Sequence, residues 1–216
     1  MTAQRRDDIS VNSDMGEALG LHTFGNDPAL MPVIDVANVA CGFHSGDPEA
    51  MDVTVALAKQ HGVRVGAHPG LPDLVGFGRR EMKLTPGEVE SLIRYQVGAL
   101  SGFLKKYDLP LNHIKPHGSL YGMLARDEDL MLGAVKVARD YGVPVYGLAG
   151  TAHQRVAERE GSSLLASSTS TSTTTMRAGS SFCVNHTRPI PQPRPSAPAA
   201  PSILARSSPS TARNSR

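Results

Sequence analysis

Five times along this 216-residue chain, a short apolar run ends in a polar, glycine-punctuated loop, and a helical or loop connection precedes the next run. The runs cover residues 9–12, 36–41, 63–67, 111–115 and 143–148. Strands joined by connections this long run parallel, with right-handed crossovers. Such sheets and barrels gather their chemistry at the carboxyl ends of the strands.

The clearest unit is Asn38-Val-Ala-Cys-Gly-Phe-His44-Ser-Gly-Asp47. Gly42 and Gly46 mark a loop, and Asp47 before Pro48 is an N-cap followed by proline at the first helical position. The helix over 48–61 turns Met51, Val55, Ala58 and Leu57 inward and stops at Gly62. Run 63–67 delivers His68-Pro69-Gly70-Leu71-Pro72-Asp73, in which the proline holds His68 extended. The loop continues through Gly76-Phe77-Gly78-Arg79-Arg80. Two arginines beside a histidine and a carboxylate suit an anionic or phosphate-bearing ligand, although the loop lacks a Walker A ending.

Thr85-Pro86-Gly87-Glu88 is a capping box. It opens a helix with a core stripe of Val89, Leu92, Ile93, Val97, Leu100, Phe103 and Leu104. Run 111–115 ends in Lys115-Pro116-His117. Asp127 caps a helix reaching Tyr141, and a last helix begins near Ala152. The first run leads into Asp14 and Glu17. Strand ends therefore carry His44, His68, His117 and an acidic pair, which a barrel brings to one face as a shared active site. Cys41, at the end of a buried run, reads as packing.

Five percent aromatic residues and no Trp exclude surfaces built on base stacking or sugar platforms, so no nucleic-acid partner is expected. Two cysteines form neither a disulfide framework nor a zinc motif. With no secretory signal and no membrane-spanning run, a soluble, cytoplasmic chain is expected.

Four segments together resemble the LamB/YcsF family, the lactam-utilisation group also called the A subunit of 5-oxoprolinase. They are Asn12-Ser-Asp14-Met-Gly16-Glu17, Ala37 through Asp47, Gly66 through Asp73 with Gly76-Phe-Gly-Arg79, and Lys115-Pro-His117-Gly-Ser-Leu-Tyr121. The resemblance covers residues 8–160. It implies an α/β fold, a distorted (β/α) TIM-like barrel of the glycoside hydrolase/deacetylase type with its C-terminal part missing. It also implies ATP-dependent opening of 5-oxoproline (pyroglutamate) to glutamate, with ATP as co-substrate and 5-oxoprolinase subunits B and C as partners. Phosphorylation of the lactam oxygen would make it a leaving group, and water would then need a base and the oxyanion a donor or a divalent metal. On the matched positions, Asp14, His44 and His68 become metal ligands or acid–base groups. Glu17, Asp47 and Asp73 orient them or activate water, and Lys115, His117 and Arg79 hold phosphate or carboxylate charge. A metal-dependent deacetylase or amidohydrolase working without ATP is the alternative enzyme, and an inactive truncated fragment the non-enzyme reading.

From Gly161 the character changes. All 20 acidic residues and 16 of the 22 basic ones lie before it, and the last 56 residues hold 14 Ser, 7 Thr, 7 Pro and six arginines. Residues 161–216 thus read as a disordered tail following a barrel domain over 1–160. Ser172-Thr173-Thr174-Thr175-Met176 admits codons that, read one base out, give Leu-Asp-Tyr-Asp-Asp, which resembles the family at this point. The tail therefore reads as the product of a frameshift or misjudged splice near Gly161. Uncovered strand edges and poor folding are the expectation for such a chain.

Overall fold

A computed structural model of the chain describes residues 10–169 and 182–185. Six parallel strands curl through a partial TIM-like barrel: β1 (Ser10–Met15), β2 (Val36–Ala40), β3 (Arg64–His68), β4 (Leu111–Ile114), β5 (Val145–Gly147) and β6 (Leu164–Thr169). A seventh strand, β7 (Phe182–Asn185), pairs antiparallel with both β6 and β1. Both flanks of the parallel sheet are thus paired, and the bare edges expected past Gly161 are not found among the described residues. β6 and β7 both fall in the segment expected to be a tail, of which residues 170–181 and 186–216 lie outside the described residues.

The helices form where the sequence stops and starts them. After α1 (Asp27–Leu30), α2 (Pro48–His61) opens on Asp47, whose carboxylate accepts the Ala50 amide at 2.9 Å, and closes on left-handed Gly62. The helix α3 (Pro86–Lys106) opens on a complete capping box, with Glu88 Oε2 accepting the Thr85 amide at 2.7 Å. Its Val89, Ile93, Val97, Leu100 and Leu104 are all buried, each worth roughly 1.5–3 kcal/mol relative to exposure. A helix absent from the sequence reading, α4 (Gly118–Arg126), directly precedes α5 (Glu128–Asp140). Asp127 closes the first and caps the second, accepting the Asp129 and Leu130 amides. That leaves no loop signal between them. The helix α6 (Ala152–Arg159) begins where expected.

One close approach fixes the interior of the barrel. Gly66 on β3 sits opposite Asn38 on β2, and a Cβ there would fall on the imidazole of His113. The β3–β4 register shifts between Val65 and Ala67, around this contact. His113 is fully buried, stacks on Tyr146 with centroids 3.9 Å apart, and bonds Asn38 Oδ1 at 2.7 Å.

Two stability measurements follow. Gly66→Ala loses about 1–3 kcal/mol or more from overpacking in urea unfolding. Gly87→Ala, with open space around it, gains or loses less than about 1 kcal/mol. Burial, with Lys115 adding to it, holds His113 well below the ordinary histidine pKa, and burial brings His153 down to about 4. Both stay neutral in the fold but protonate when unfolded. The contribution of these two histidines to the unfolding free energy should therefore hold above pH 6.5 and fall as pH drops toward 4, by up to about 1.4 kcal/mol per unit for each. His153→Gln should flatten that fall.

Candidate functional site

The carboxyl ends of β1 to β4 deliver one buried cluster. Asp14 lies near the end of β1 and Glu17 just past it, His44 follows β2, His68 ends β3, and Lys115 and His117 follow β4. All six are buried. Asp14 Oδ1 accepts Lys115 Nζ at 2.7 Å and Asn38 Nδ2 at 2.8 Å, while Oδ2 lies 3.4 Å from His68 Nε2. His44 and His117 stack face to face, centroids 3.7 Å apart, with His68 edge-on to both. Glu17 Oε1 stands 3.4 Å from His44 Nε2 and 3.7 Å from His117 Nδ1.

Backbone carbonyls dictate the proton positions. A carbonyl only accepts, so His68 Nδ1–H donates to Lys115 O at 2.6 Å and His117 Nε2–H donates to Phe77 O at 2.9 Å. The inner nitrogens, His68 Nε2 and His117 Nδ1, then face each other at 3.0 Å. Two lone pairs repel at that distance, so the contact calls for a cation: a third proton shared by the pair, or a metal ion. Outer nitrogens tied to carbonyls are also how proteins orient metal-binding histidines.

The electrostatics sort the carboxylates. Burial alone would raise the Asp14 pKa, but the charges of His68 and Lys115 hold it well below the usual carboxylate range. Glu17, raised first by burial and then by Asp14 and Asp27, is pushed up to about 8. Burial, then neighbouring His117 and His68, depresses His44, and burial and His68 bring His117 to about 3. One anion and one neutral acid therefore stand across the histidine cluster at neutral pH, a separation of roles that acid–base chemistry uses. Glu17 Oε1 and both His44 nitrogens are buried without a hydrogen-bond partner. Ligand atoms of Glu17, His44, His68 and His117 lie within 4.8 Å of one another, a donor set that fits a divalent cation.

Three expected residues stand apart from the cluster: Asp47, Asp73 and Arg79. Asp47 gives its carboxylate to the Gly20 and Ala50 amides, at 2.7 and 2.9 Å. Asp73 accepts the Gly76 amide and is clasped by Arg80. Its carboxylate folds the loop that brings the Phe77 carbonyl to His117. Gly78, at φ +64°, lets that loop close: a Cβ there would lie 2.7 Å from His44 Cβ. Arg79 is exposed beside the Phe77 ring, 5.6 Å from its centroid. In the ligand set, Glu17 and His117 stand with His44 and His68, whereas Asp14 is engaged by Lys115 and Asn38.

Sequence reasoning missed Asn38, His113 and the Phe77 carbonyl. A lone Asn inside the apolar run Val36-Ala37-Asn38-Val39-Ala40 was the available signal for the first. A cavity of about 460 Å³ near α2, bordered by Gly16, Asp27 and Thr54, holds none of the cluster.

The LamB/YcsF family model matches residues 9–172. A lactam utilization protein lamB from Emericella nidulans is 55% identical over 147 residues, covering 68% of this chain and 58% of that protein. The A subunit of 5-oxoprolinase from Bacillus subtilis is 48% identical over 155 residues, covering 71% of this chain and 60% of the relative. The crystal structure of a lactam utilization protein from Thermus thermophilus superposes with a TM-score of 0.72 at 45% identity, over 74% of this chain and 65% of that one. The chain spans less than two thirds of the length of each of these relatives.

Removing Lys115 leaves the buried Asp14 short of one of its two compensating charges. Lys115→Met should cost about 3–5 kcal/mol in urea unfolding, and adding Asp14→Asn should return much of it. A double mutant no more stable than Lys115→Met would show that the pair is not coupled.

Proposed function

The chain belongs to the LamB/YcsF family, and on that footing we propose that it carries the active site of a 5-oxoprolinase, as the A component of that enzyme. The reaction is the ATP-dependent opening of 5-oxo-L-proline to L-glutamate, run with subunits B and C in the cytoplasm. The observation that carries this reading is the buried Asp14–His68–His117–His44–Glu17 cluster at the carboxyl ends of parallel strands, in a chain about half identical to proteins named for that activity.

A five-membered lactam is a weak electrophile, and phosphorylation of its oxygen by ATP activates the carbonyl carbon. Attack by one water with departure of the ring nitrogen gives an acyl phosphate, and a second water releases phosphate. His68, through Nε2, suits the base that takes a proton from attacking water, and Asp14, held anionic beside it, would stabilise the resulting imidazolium. Glu17, carrying a proton at neutral pH, suits the acid that gives one to the departing ring nitrogen. Arg79, exposed beside the loop over the histidines, suits the anionic part of a substrate. With a divalent cation bound, Glu17 would instead give up that proton and join His44, His68 and His117 as ligands, and the cation would polarise the carbonyl or acidify water. Asp47 and Asp73 keep a role only in building the loops. Among the described residues, no helix is long and apolar enough to cross a membrane.

The family match reaches residue 172 and β6 ends at Thr169, which supports moving the proposed change of reading frame from near Gly161 to beyond that strand. Transcript sequence across the codons for Gly161 to Met176 decides it.

The test reconstitutes this chain with partner subunits B and C and measures glutamate and phosphate release. Turnover should require ATP, and His44→Ala and His68→Ala should each lower it by at least about 100-fold. Undiminished turnover in both variants would sink the site. Metal-dependent amide hydrolysis that ignores ATP would favour a deacetylase-like amidohydrolase instead. An aggregated chain with no cooperative unfolding would mark an inactive fragment.

A further inference from the structure

We propose that Asn38 and His113 form a positioning pair beneath the site: His113 fixes the Asn38 amide, and Asn38 fixes the rotation of the Asp14 carboxylate. That Asp14 takes part in the reaction is taken from the function proposed above.

The barrel places these residues in one layer. Asp14 on β1 lies opposite Asn38 on β2, and Asn38 lies opposite Gly66 on β3. Because Gly66 has no side chain, His113 reaches from β4 across β3 into the same layer. Its Nε2 meets Asn38 Oδ1 at 2.7 Å. Asn38 Nδ2 donates to Asn12 Oδ1 and to Asp14 Oδ1, each at 2.8 Å.

The directions of these bonds are forced. An ionised carboxylate only accepts, so the Asn38 NH₂ must face Asp14 and its carbonyl oxygen must face His113. His113 Nε2 must therefore carry a proton. Stacking on Tyr146, at an interplanar angle of 13°, holds the ring in place. Asn38 is completely buried and uses both amide protons and its oxygen.

Asp14 Oδ1 then receives two donors from different directions, Lys115 and Asn38, and Oδ2 is left turned toward His68. Lys115 is a single rotatable ammonium and cannot set that rotation alone. A buried polar layer costs free energy that an apolar one would not. What it provides here is a defined orientation for one carboxylate oxygen.

Three variants test the pair: His113→Leu removes the donor, His113→Gln restores an N–H near the Nε2 position, and Asn38→Asp turns an acceptor toward Asp14. Crystal structures of wild type and variants are compared alongside ATP-dependent turnover in the reconstituted complex. His113→Leu and Asn38→Asp should show a rotated Asp14 carboxylate and a kcat lower by about 10–100-fold, with KM changed less than about twofold. His113→Gln should return Asp14 to its wild-type rotamer and recover most of kcat. An unmoved Asp14 in all variants, or His113→Gln as impaired as His113→Leu, would overturn the proposal. So would a raised KM with kcat intact. Wild-type protein without turnover would defeat the function reading alone, and the crystal structures would still decide the positioning role. Should His113→Leu fail to fold, Asn38→Asp and His113→Gln carry both readouts.

Discussion

The ion pair between Asp14 and Lys115 joins the end of β1 to the end of β4, across 101 residues of sequence. Burial strips both charges of hydration, and each is offset largely by its neighbours: Lys115 by Asp14, and Asp14 by His68, Lys115 and the Asn38 amide. Much of the site takes its arrangement from this pair. The Lys115 backbone carbonyl sets the proton on His68 while its side chain compensates Asp14, so one residue fixes both members of the adjoining pair. Glu17, beside the anionic Asp14, retains its proton partly for that reason.

Much of this was legible from residue order. Strand and helix starts follow local signals, such as a proline after an N-cap, a capping box, or a glycine after a helical stripe, and those signals act within a few residues. The five strands and the helices α2, α3, α5 and α6 accordingly lie within a few residues of where the pattern put them. Three strand-end histidines, two carboxylates and Lys115 meet because parallel strands of similar length end on the same side.

What escaped notice depends on contacts over distance or on ambiguous signals. Asp47 and Asp73 look like functional acids in sequence, yet an aspartate beside proline or glycine is equally a cap or a turn former, and both serve that local role. Asn38 and His113 are 75 residues apart, and only the bare backbone at Gly66 lets them touch. The Ser- and Thr-rich sequence of β6 carries no strand alternation, and α4 hides because Asp127 serves two helices at once. The structure brings Glu17 and His117, rather than Asp14, into the group of ligand atoms around His44 and His68.

The loop from Asp73 to Arg80 ties the placement of a proton to the placement of backbone. The outer proton of His117 rests on the Phe77 carbonyl, and Phe77 is held in place by the clasp of Asp73 with Arg80. Loop position and histidine tautomer are therefore a single variable. Any displacement of the loop would leave the Nε2 proton of His117 without its acceptor. The seat of that loop and the placement of a proton inside the barrel therefore cannot be set independently of each other.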